Sequence, residues 1–301
     1  MEESRRERAP VPTLDPRAQL IIQKVAGEYA DKYLSDYVLP HFQRLLKLPD
    51  SEIATVREAL DHPVSSLLVF FGHYAFARRG KDRDDLSSAA LLAIHRLFAD
   101  RDPAEILKLD DGTELWTIFD KVCEDRGRKS NEAQNRGLLQ GILELSQEVY
   151  RADGVGSIAA WVVDAAEDTG RIEEEFNRIV DIRGVGPKST STFLRDVIQI
   201  FGCEDQIDPA DRIYFQPVDR WLRAIAQIIV PEPNMDQAAD WIVAGKVSKY
   251  TRRAGVSGIR FNMGTTHFGQ RVVKDPERFE AEIANLVRSA NADRQGPFSA
   301  R

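Results

Sequence analysis

Residues 172–195 read IEEEFNRIVDIRGVGPKSTSTFLR, and this stretch decides how the chain around it folds. An amphipathic run is followed by a Gly-Val-Gly-Pro turn, and a second helix opens at Lys188. Gly184 and Gly186 permit a tight turn because they carry no Cβ. Pro187 suits the first turn of a helix. The free N–H groups of such a helix start attract an anion, typically a phosphate, and the lysine beside them adds a positive charge.

The rest of the chain predicts helices almost throughout, because no segment alternates polar and apolar residues over a strand length. Apolar residues four apart predict a helix over 16–39 that breaks at Pro40. Residues 201–215 predict a polar loop in which Asp208 and Asp211 are solvated. The fold class expected is therefore all-α. After that loop, helices are predicted near 219–228, 235–244, 258–273 and 276–290.

Composition excludes several classes of protein. The chain has 301 residues, 43% hydrophobic and 30% charged, which is sufficient for a sizeable core in a soluble protein. Its two cysteines, Cys123 and Cys203, cannot supply the four thiolates of an iron–sulfur cluster. The N-terminal sequence has no apolar segment typical of a secretory signal, and no apolar run is long enough to span a bilayer. We expect a cytoplasmic protein.

The charge pattern is uneven. A net charge of −7 argues mildly against binding to nucleic acid, because phosphate contacts need cations. A single basic face on an acidic protein remains compatible with such binding, although any one cluster is equally well explained as solvated surface. The basic clusters lie at Arg78, Arg79, Lys81 and Arg83, at Arg126, Arg128 and Lys129, and at Lys249, Arg252 and Arg253.

Two elements together carry a family resemblance: the turn at 182–188 and the downstream Pro217-Val218-Asp219 at a helix start. They resemble the helix-hairpin-helix, Gly-Pro-Asp type of DNA glycosylase, the superfamily of endonuclease III and 8-oxoguanine glycosylase. The resemblance covers residues 62–273. It implies a two-lobed helical domain, placed here at 14–290, with the helix-hairpin-helix at 172–195. The polar ends, 1–13 and 291–301, are expected to be disordered.

The resemblance implies a base-excision repair activity on double-stranded DNA with a damaged base or an abasic site. Lys188 stands at the position of the nucleophile, whose neutral amine attacks C1′ and expels the base. The resulting Schiff base permits strand cleavage, which is the AP lyase reaction. Asp219 stands at the position of the aspartate that stabilises positive charge on the sugar and relays protons. Two alternatives stay open from the residues alone: Lys188 as a phosphate contact and Asp219 as an N-cap.

The resemblance also predicts DNA contacts and a base pocket or wedge. Base flipping requires a wedge and a pocket, and the segment after Phe71 lies where the family places its wedge. The aromatic candidates can equally well belong to the core. The predicted wedge or pocket residues are His73, Tyr74 and Trp221. The predicted DNA contacts are Gly184, Val185, Gly186, Ser189, Thr190, Arg78, Arg79 and Arg128.

Three functions are therefore compatible with the sequence: a glycosylase with lyase activity, a monofunctional glycosylase, and a catalytically silent helix-hairpin-helix DNA-binding protein. No metal is expected, because no set of His, Cys or carboxylates has a convincing ligand spacing. Two cysteines are too few for the iron–sulfur cluster of the endonuclease III branch, so none is expected. The resemblance implies a monovalent cation at the hairpin. We expect a monomer associated with the nucleoid.

Overall fold

The computed structural model describes residues 14–76 and 83–294 of the chain. These residues form α-helices joined by turns and loops, with no β-strand among them, so the all-α prediction is confirmed. In chain order, the α-helices of this part are α1 Pro16–Tyr33, α2 Leu39–Leu46, α3 Ile53–Leu60, α4 Pro63–Val69, α5 Arg83–Phe98, α6 Pro103–Leu107, α7 Thr113–Asp125, α8 Glu132–Asp153, α9 Ile158–Asp168, α10 Glu173–Val180, α11 Pro187–Phe201, α12 Arg220–Ile229, α13 Asp240–Arg253, α14 Gly258–His267 and α15 Phe279–Arg294.

The predicted break at Pro40 is wrong. The chain passes from α1 through a π-helical turn, Leu34–Val38, directly into α2, and Pro40 lies in the first turn of that helix. The backbone N–H of Leu39 donates to the carbonyl of Leu34, which is the wide π-type hydrogen bond. Proline cannot donate an N–H and its ring crowds the carbonyl four residues earlier. The wider turn accommodates both constraints, so the helical path continues.

The loop at 201–215 is not a freely solvated insertion. It contains two short 3₁₀ turns, Glu204–Gln206 and Asp211–Phe215. The prediction that Asp211 is solvated is wrong: it is buried, and its Oδ2 accepts hydrogen bonds from the backbone N–H groups of Ile172 (2.7 Å) and Glu173 (3.2 Å). The same oxygen accepts from Arg171 Nε at 3.0 Å. Asp211 therefore fixes this loop to the N-terminus of α10, whose free N–H groups favour a carboxylate.

The predicted helix at 235–244 begins later, at Asp240. The guanidinium of Arg223 donates to the carbonyls of Asp236 (3.1 Å) and Ala238 (2.7 Å), which holds 236–238 in a non-helical path. Asn234 adopts a positive φ of 62°, which also ends any helical path there. At the C-terminus the last helix extends to Arg294, beyond the domain boundary predicted at 290.

Within the described residues, most of the buried apolar side chains belong to two clusters. The larger, the central core, contains residues of the helices from α2 to α11. The smaller, the terminal core, joins the N-terminal half of α1 to helices α12–α15. Helix α1 contributes to both, since Val25 lies in the terminal core and Tyr33 in the central core. The segment 216–219 follows the second 3₁₀ turn and leads into α12, so it lies where the chain passes from the central core to the terminal core.

Candidate active site

The turn at 181–186 joins α10 to α11. Gly184 has φ +95°, a left-handed conformation that side chains rarely adopt, so glycine is required there. Gly186 is extended, with φ −124°, and precedes Pro187 at the first position of α11. The turn is closed by hydrogen bonds from Val185 N to Ile182 O (3.0 Å) and from Thr190 N to Gly186 O (3.1 Å).

The N-terminus of α11 has no side-chain cap, because Gly186 occupies the N-cap position. The N–H groups of Lys188 and Ser189 precede the first hydrogen bond of the helix, which leaves them for a ligand. The Lys188 side chain is exposed, and Ser189 is mostly buried. Backbone donors, a lysine and the positive end of the helix dipole thus meet at one point, a combination that favours an anion.

Asp219 is the N-cap of α12. Its Oδ1 accepts hydrogen bonds from the backbone N–H groups of Trp221 and Leu222, each at 2.9 Å. The residue is half-buried and borders the same depression as Lys188. The predicted capping role is therefore present, and it uses only one of the two carboxylate oxygens. Capping leaves Oδ2 available to act on a ligand.

Lys188 and Asp219 line one cleft of about 270 Å³ between segments that are far apart in sequence. Cationic side chains are in excess in its walls: Arg83 and the buried Arg195 accompany Lys188, while Asp219 is the acidic member. The lining residues are Tyr33, Tyr37, His73, Tyr74, Arg83, Lys188, Ser189, Thr192, Arg195, Pro217, Asp219, Thr266 and Gln270. The cleft therefore joins a cation, a carboxylate and several aromatic rings.

A buried polar network, which the sequence analysis missed, forms one wall of the cleft. Arg195, 1% exposed, donates from Nε (2.9 Å) and from one terminal nitrogen (2.7 Å) to Asp196 Oδ1. Its guanidinium also donates to Asn262 Oδ1 (2.6 Å) and to the Tyr33 hydroxyl (2.5 Å). The Tyr74 hydroxyl donates to Asp196 Oδ2 at 3.1 Å. Because every member is hydrogen-bonded, the network holds this wall rigidly.

His73 is 6% exposed and lines the cleft from the π-helical turn Phe70–Ala75. Burial, together with the nearby His41 and Arg83, holds the pKa of His73 well below its usual range, so the imidazole is neutral. Its Nδ1 is buried and has no hydrogen-bond partner among the residues described. The ring packs against those of Tyr37 (5.3 Å between centroids) and His41 (4.8 Å).

Two of the predicted wedge residues are core residues. Tyr74 is 2% exposed and is held by Asp196, so it lines the cleft wall but cannot enter a base stack. Trp221 is also 2% exposed and stacks on Phe279 with 5.7 Å between ring centroids. A Cβ on Gly269 would lie 2.3 Å from the indole ring, so this tryptophan is tightly enclosed in the terminal core. Neither side chain is a wedge.

The residues predicted to contact DNA differ in burial and in their position relative to the cleft. Thr190 is fully buried, and both its hydroxyl (3.2 Å) and its N–H donate to Gly186 O, so that prediction is wrong. Val185 is half-buried against the central core. Gly184 is exposed. Arg128 is exposed but lies outside the cleft and forms an ion pair with Asp85 at 2.6 Å. Arg78 and Arg79 lie outside the described residues.

No family model, curated protein or solved structure matches the chain. Within residues 14–76 and 83–294, no helix is both long and apolar enough to cross a membrane. The same residues contain no group of three or more His, Cys, Asp or Glu side chains arranged to hold a metal ion. The assignment of a function therefore rests on the cleft itself.

Proposed function

We propose that the protein is a DNA glycosylase with AP lyase activity that uses Lys188 and Asp219. One observation carries the proposal: a lysine at an uncapped helix N-terminus and a carboxylate at the start of another helix line the same cleft. The amine can reach a sugar held there, and the carboxylate can face the charge that develops on it. The resemblance of the turn and the Pro-Val-Asp segment to the helix-hairpin-helix glycosylases supports the same chemistry.

In the proposed reaction, the Lys188 nitrogen forms a bond to C1′ of the nucleoside. The C1′–N bond to the base breaks, and the electron pair leaves with the base, which takes up a proton. Asp219 stabilises the positive charge that builds up on the sugar during this step. Opening of the sugar ring gives a Schiff base on Lys188, and loss of a proton from C2′ then expels the 3′ phosphate. Hydrolysis of the Schiff base restores the lysine.

The N-terminus of α11 has a separate role in this proposal. The free N–H groups of Lys188 and Ser189 bind a backbone phosphate next to the target nucleotide. This contact does not depend on base identity, so it positions the strand without specifying a sequence. The buried network around Arg195, on the same helix, holds the wall of the cleft in place while the nucleotide enters.

A monofunctional glycosylase, or a DNA-binding protein without activity, is the second candidate. The observation that favours it is the exposure of the Lys188 side chain. A nucleophilic lysine must be neutral, whereas an exposed ammonium beside free N–H groups is well suited to a phosphate contact.

Borohydride trapping on a duplex with an abasic site separates these candidates. Sodium borohydride reduces a Schiff base to a stable amine, so the wild-type protein should form a covalent adduct. Lys188→Ala should abolish the adduct. Lys188→Arg is the matched control, because it keeps the positive charge but cannot form a Schiff base. An adduct that persists in Lys188→Arg would overturn the assignment of the nucleophile. No adduct with wild type, together with retained DNA binding, would favour the second candidate.

A further inference from the structure

Lys188 borders a second depression, on the other side of the segment 216–219. Gln216 and Val218 line this second depression, whereas Pro217 and Asp219 line the cleft. Successive residues of an extended segment point to opposite sides, so 216–219 separates the two spaces. Lys188 lines both spaces. Lys188 therefore lies on the ridge that separates the cleft from this second depression. We call the second depression the aromatic groove.

Three aromatic side chains line the aromatic groove among other apolar and polar residues, and its volume is about 150 Å³. The rings of Phe176 and Tyr214 lie 4.6 Å apart at an angle of 33°. Trp241, at the start of α13, is 70% exposed and is the most exposed large apolar side chain in the described part of the chain. Large apolar side chains in soluble proteins are usually covered, so an exposed indole beside two more rings indicates a surface for a flat ligand.

The charges around the aromatic groove favour a ligand with a negative group near its rim. Asp240 is paired with Arg223, and Glu173 is paired with Arg171 at 3.2 Å. The ammonium of Lys188 forms no ion pair with any residue that the structure describes. Burial and the hydrogen bond with Glu173 raise the pKa of Tyr214 to about 12, so its ring stays uncharged. The groove thus offers neutral rings with one available cation at the ridge.

We propose that the aromatic groove binds an unpaired nucleobase of the strand whose phosphate is held by the backbone N–H groups of Lys188 and Ser189 at the N-terminus of α11. The inference rests on the proposed function to the extent that it needs a nucleic acid at Lys188. The groove then takes a neighbouring base by stacking on Trp241 while the reacting sugar occupies the cleft. A nucleotide combines a flat neutral ring with an adjacent anion, which is the combination that the groove and its ridge present.

The test compares two single-stranded oligonucleotides of equal length, one of thymidines and one with base-free tetrahydrofuran sugars. Both carry the same phosphates, so only stacking distinguishes them. Quenching of tryptophan fluorescence by a bound base reports mainly on Trp241, and so on the groove. The other three tryptophans are less accessible, since Trp116 and Trp221 are buried and Trp161 is half-buried. The thymidine oligonucleotide should quench the Trp241 signal, and the base-free one should bind without quenching. Trp241→Phe should remove the quenched component.

Affinity provides the second measurement. Trp241→Ala should weaken binding of the thymidine oligonucleotide about 5- to 150-fold, from the usual range for one stacked base, and should leave binding of the base-free oligonucleotide unchanged. Equal binding of both oligonucleotides to wild type and Trp241→Ala would overturn the inference. An unquenched Trp241 in the complex with the thymidine oligonucleotide would also overturn it, because no base would then be stacked on the indole.

The outcomes of the trapping and affinity experiments are distinguishable. Borohydride trapping depends on Lys188, and the affinity difference depends on Trp241. A trapped adduct with no effect of Trp241→Ala would contradict the aromatic-groove inference alone. Failure of both oligonucleotides to bind would contradict the aromatic-groove inference, whereas the proposed function would still be decided by trapping on duplex DNA. Circular dichroism melting of Trp241→Ala, an exposed position, should match that of wild type and so exclude misfolding as the cause.

Discussion

The capping role and the proposed chemical role of Asp219 can be separated by two substitutions. Asp219→Ala removes the acceptor of the Trp221 and Leu222 N–H groups, and loss of an N-cap costs about 1–2 kcal/mol. Unfolding entropy of roughly 2.1 cal/mol/K per residue, over 301 residues, converts this loss into a Tm lowered by about 2–3 °C. Asp219→Asn keeps a side-chain oxygen at the cap, and Asn is as good an N-cap as Asp, so its Tm should change by less than about 1 °C.

The activity of the two variants should not follow their stability. Both variants lose the negative charge that is proposed to face the reacting sugar. Both should therefore lose about 10²- to 10³-fold in rate, the usual loss when one electrostatic stabiliser of a transition state is removed. The assay is single-turnover release of a damaged base from a duplex, the step in which Asp219 is proposed to act. Base release is read on a denaturing gel after alkaline strand cleavage, beside thermal unfolding followed by circular dichroism. Binding of the same duplex should be retained by Asp219→Asn.

The informative result is therefore a variant with normal stability and low activity. If Asp219→Asn released the base at the wild-type rate, the negative charge would not contribute to the reaction. Asp219 would then be a helix cap only. If Asp219→Ala alone lost activity, in proportion to its lowered Tm, the same conclusion would hold. Either result would refute the assignment of Asp219, while the role of Lys188 would still be tested by trapping.

Three further predictions concern the walls of the cleft and the packing behind it. Arg195→Met leaves the buried Asp196 carboxylate without its cation and should lower the free energy of unfolding by about 3–5 kcal/mol. The double variant Arg195→Met with Asp196→Leu should recover most of this loss, as measured by denaturant unfolding. Gly269→Ala places a Cβ 2.3 Å from a tryptophan ring and should cost about 1–3 kcal/mol, whereas Gly27→Ala, with no atom within 4 Å, should be neutral or stabilising. His73 is neutral in the folded protein, and below its ordinary pKa of 6.5 it takes up a proton on unfolding. Below pH 6.5 this group should therefore lower the free energy of unfolding by about 1.4 kcal/mol per pH unit. His73→Gln should show a shallower decline of the unfolding free energy with decreasing pH.

Helix starts have local signals in the sequence. Asp102-Pro103 opens α6, and the Asp102 side chain accepts from Ala104 N at 3.0 Å. Asp219 caps α12 in the same way. Each of these features depends on residues within three positions of the helix start, which is why they can be read without knowing the tertiary structure.

The errors arise where distant residues decide the local path. Residues 236–238 have helical character in sequence, yet Arg223 from α12 binds their carbonyls. Asp211 has the composition of a loop residue, yet it is buried at the N-terminus of α10. The sequence does contain a signal for the buried Arg195. Arg195 and Asp196 interrupt an apolar run between Leu194 and Val197, and charged side chains on a buried helix must be paired.

The cleft is also marked by a feature that no sequence pattern indicated. The π-helical turns in the described residues are Leu34–Val38, Phe70–Ala75 and Phe268–Val273. Each provides part of the cleft wall: Tyr37 from the first, His73 and Tyr74 from the second, and Gln270 from the third. An isolated π turn interrupts the regular hydrogen bonding of a helix, and such turns occur frequently at functional sites. Their convergence on the cleft that contains Lys188 and Asp219 supports this cleft as the functional site independently of the hairpin motif.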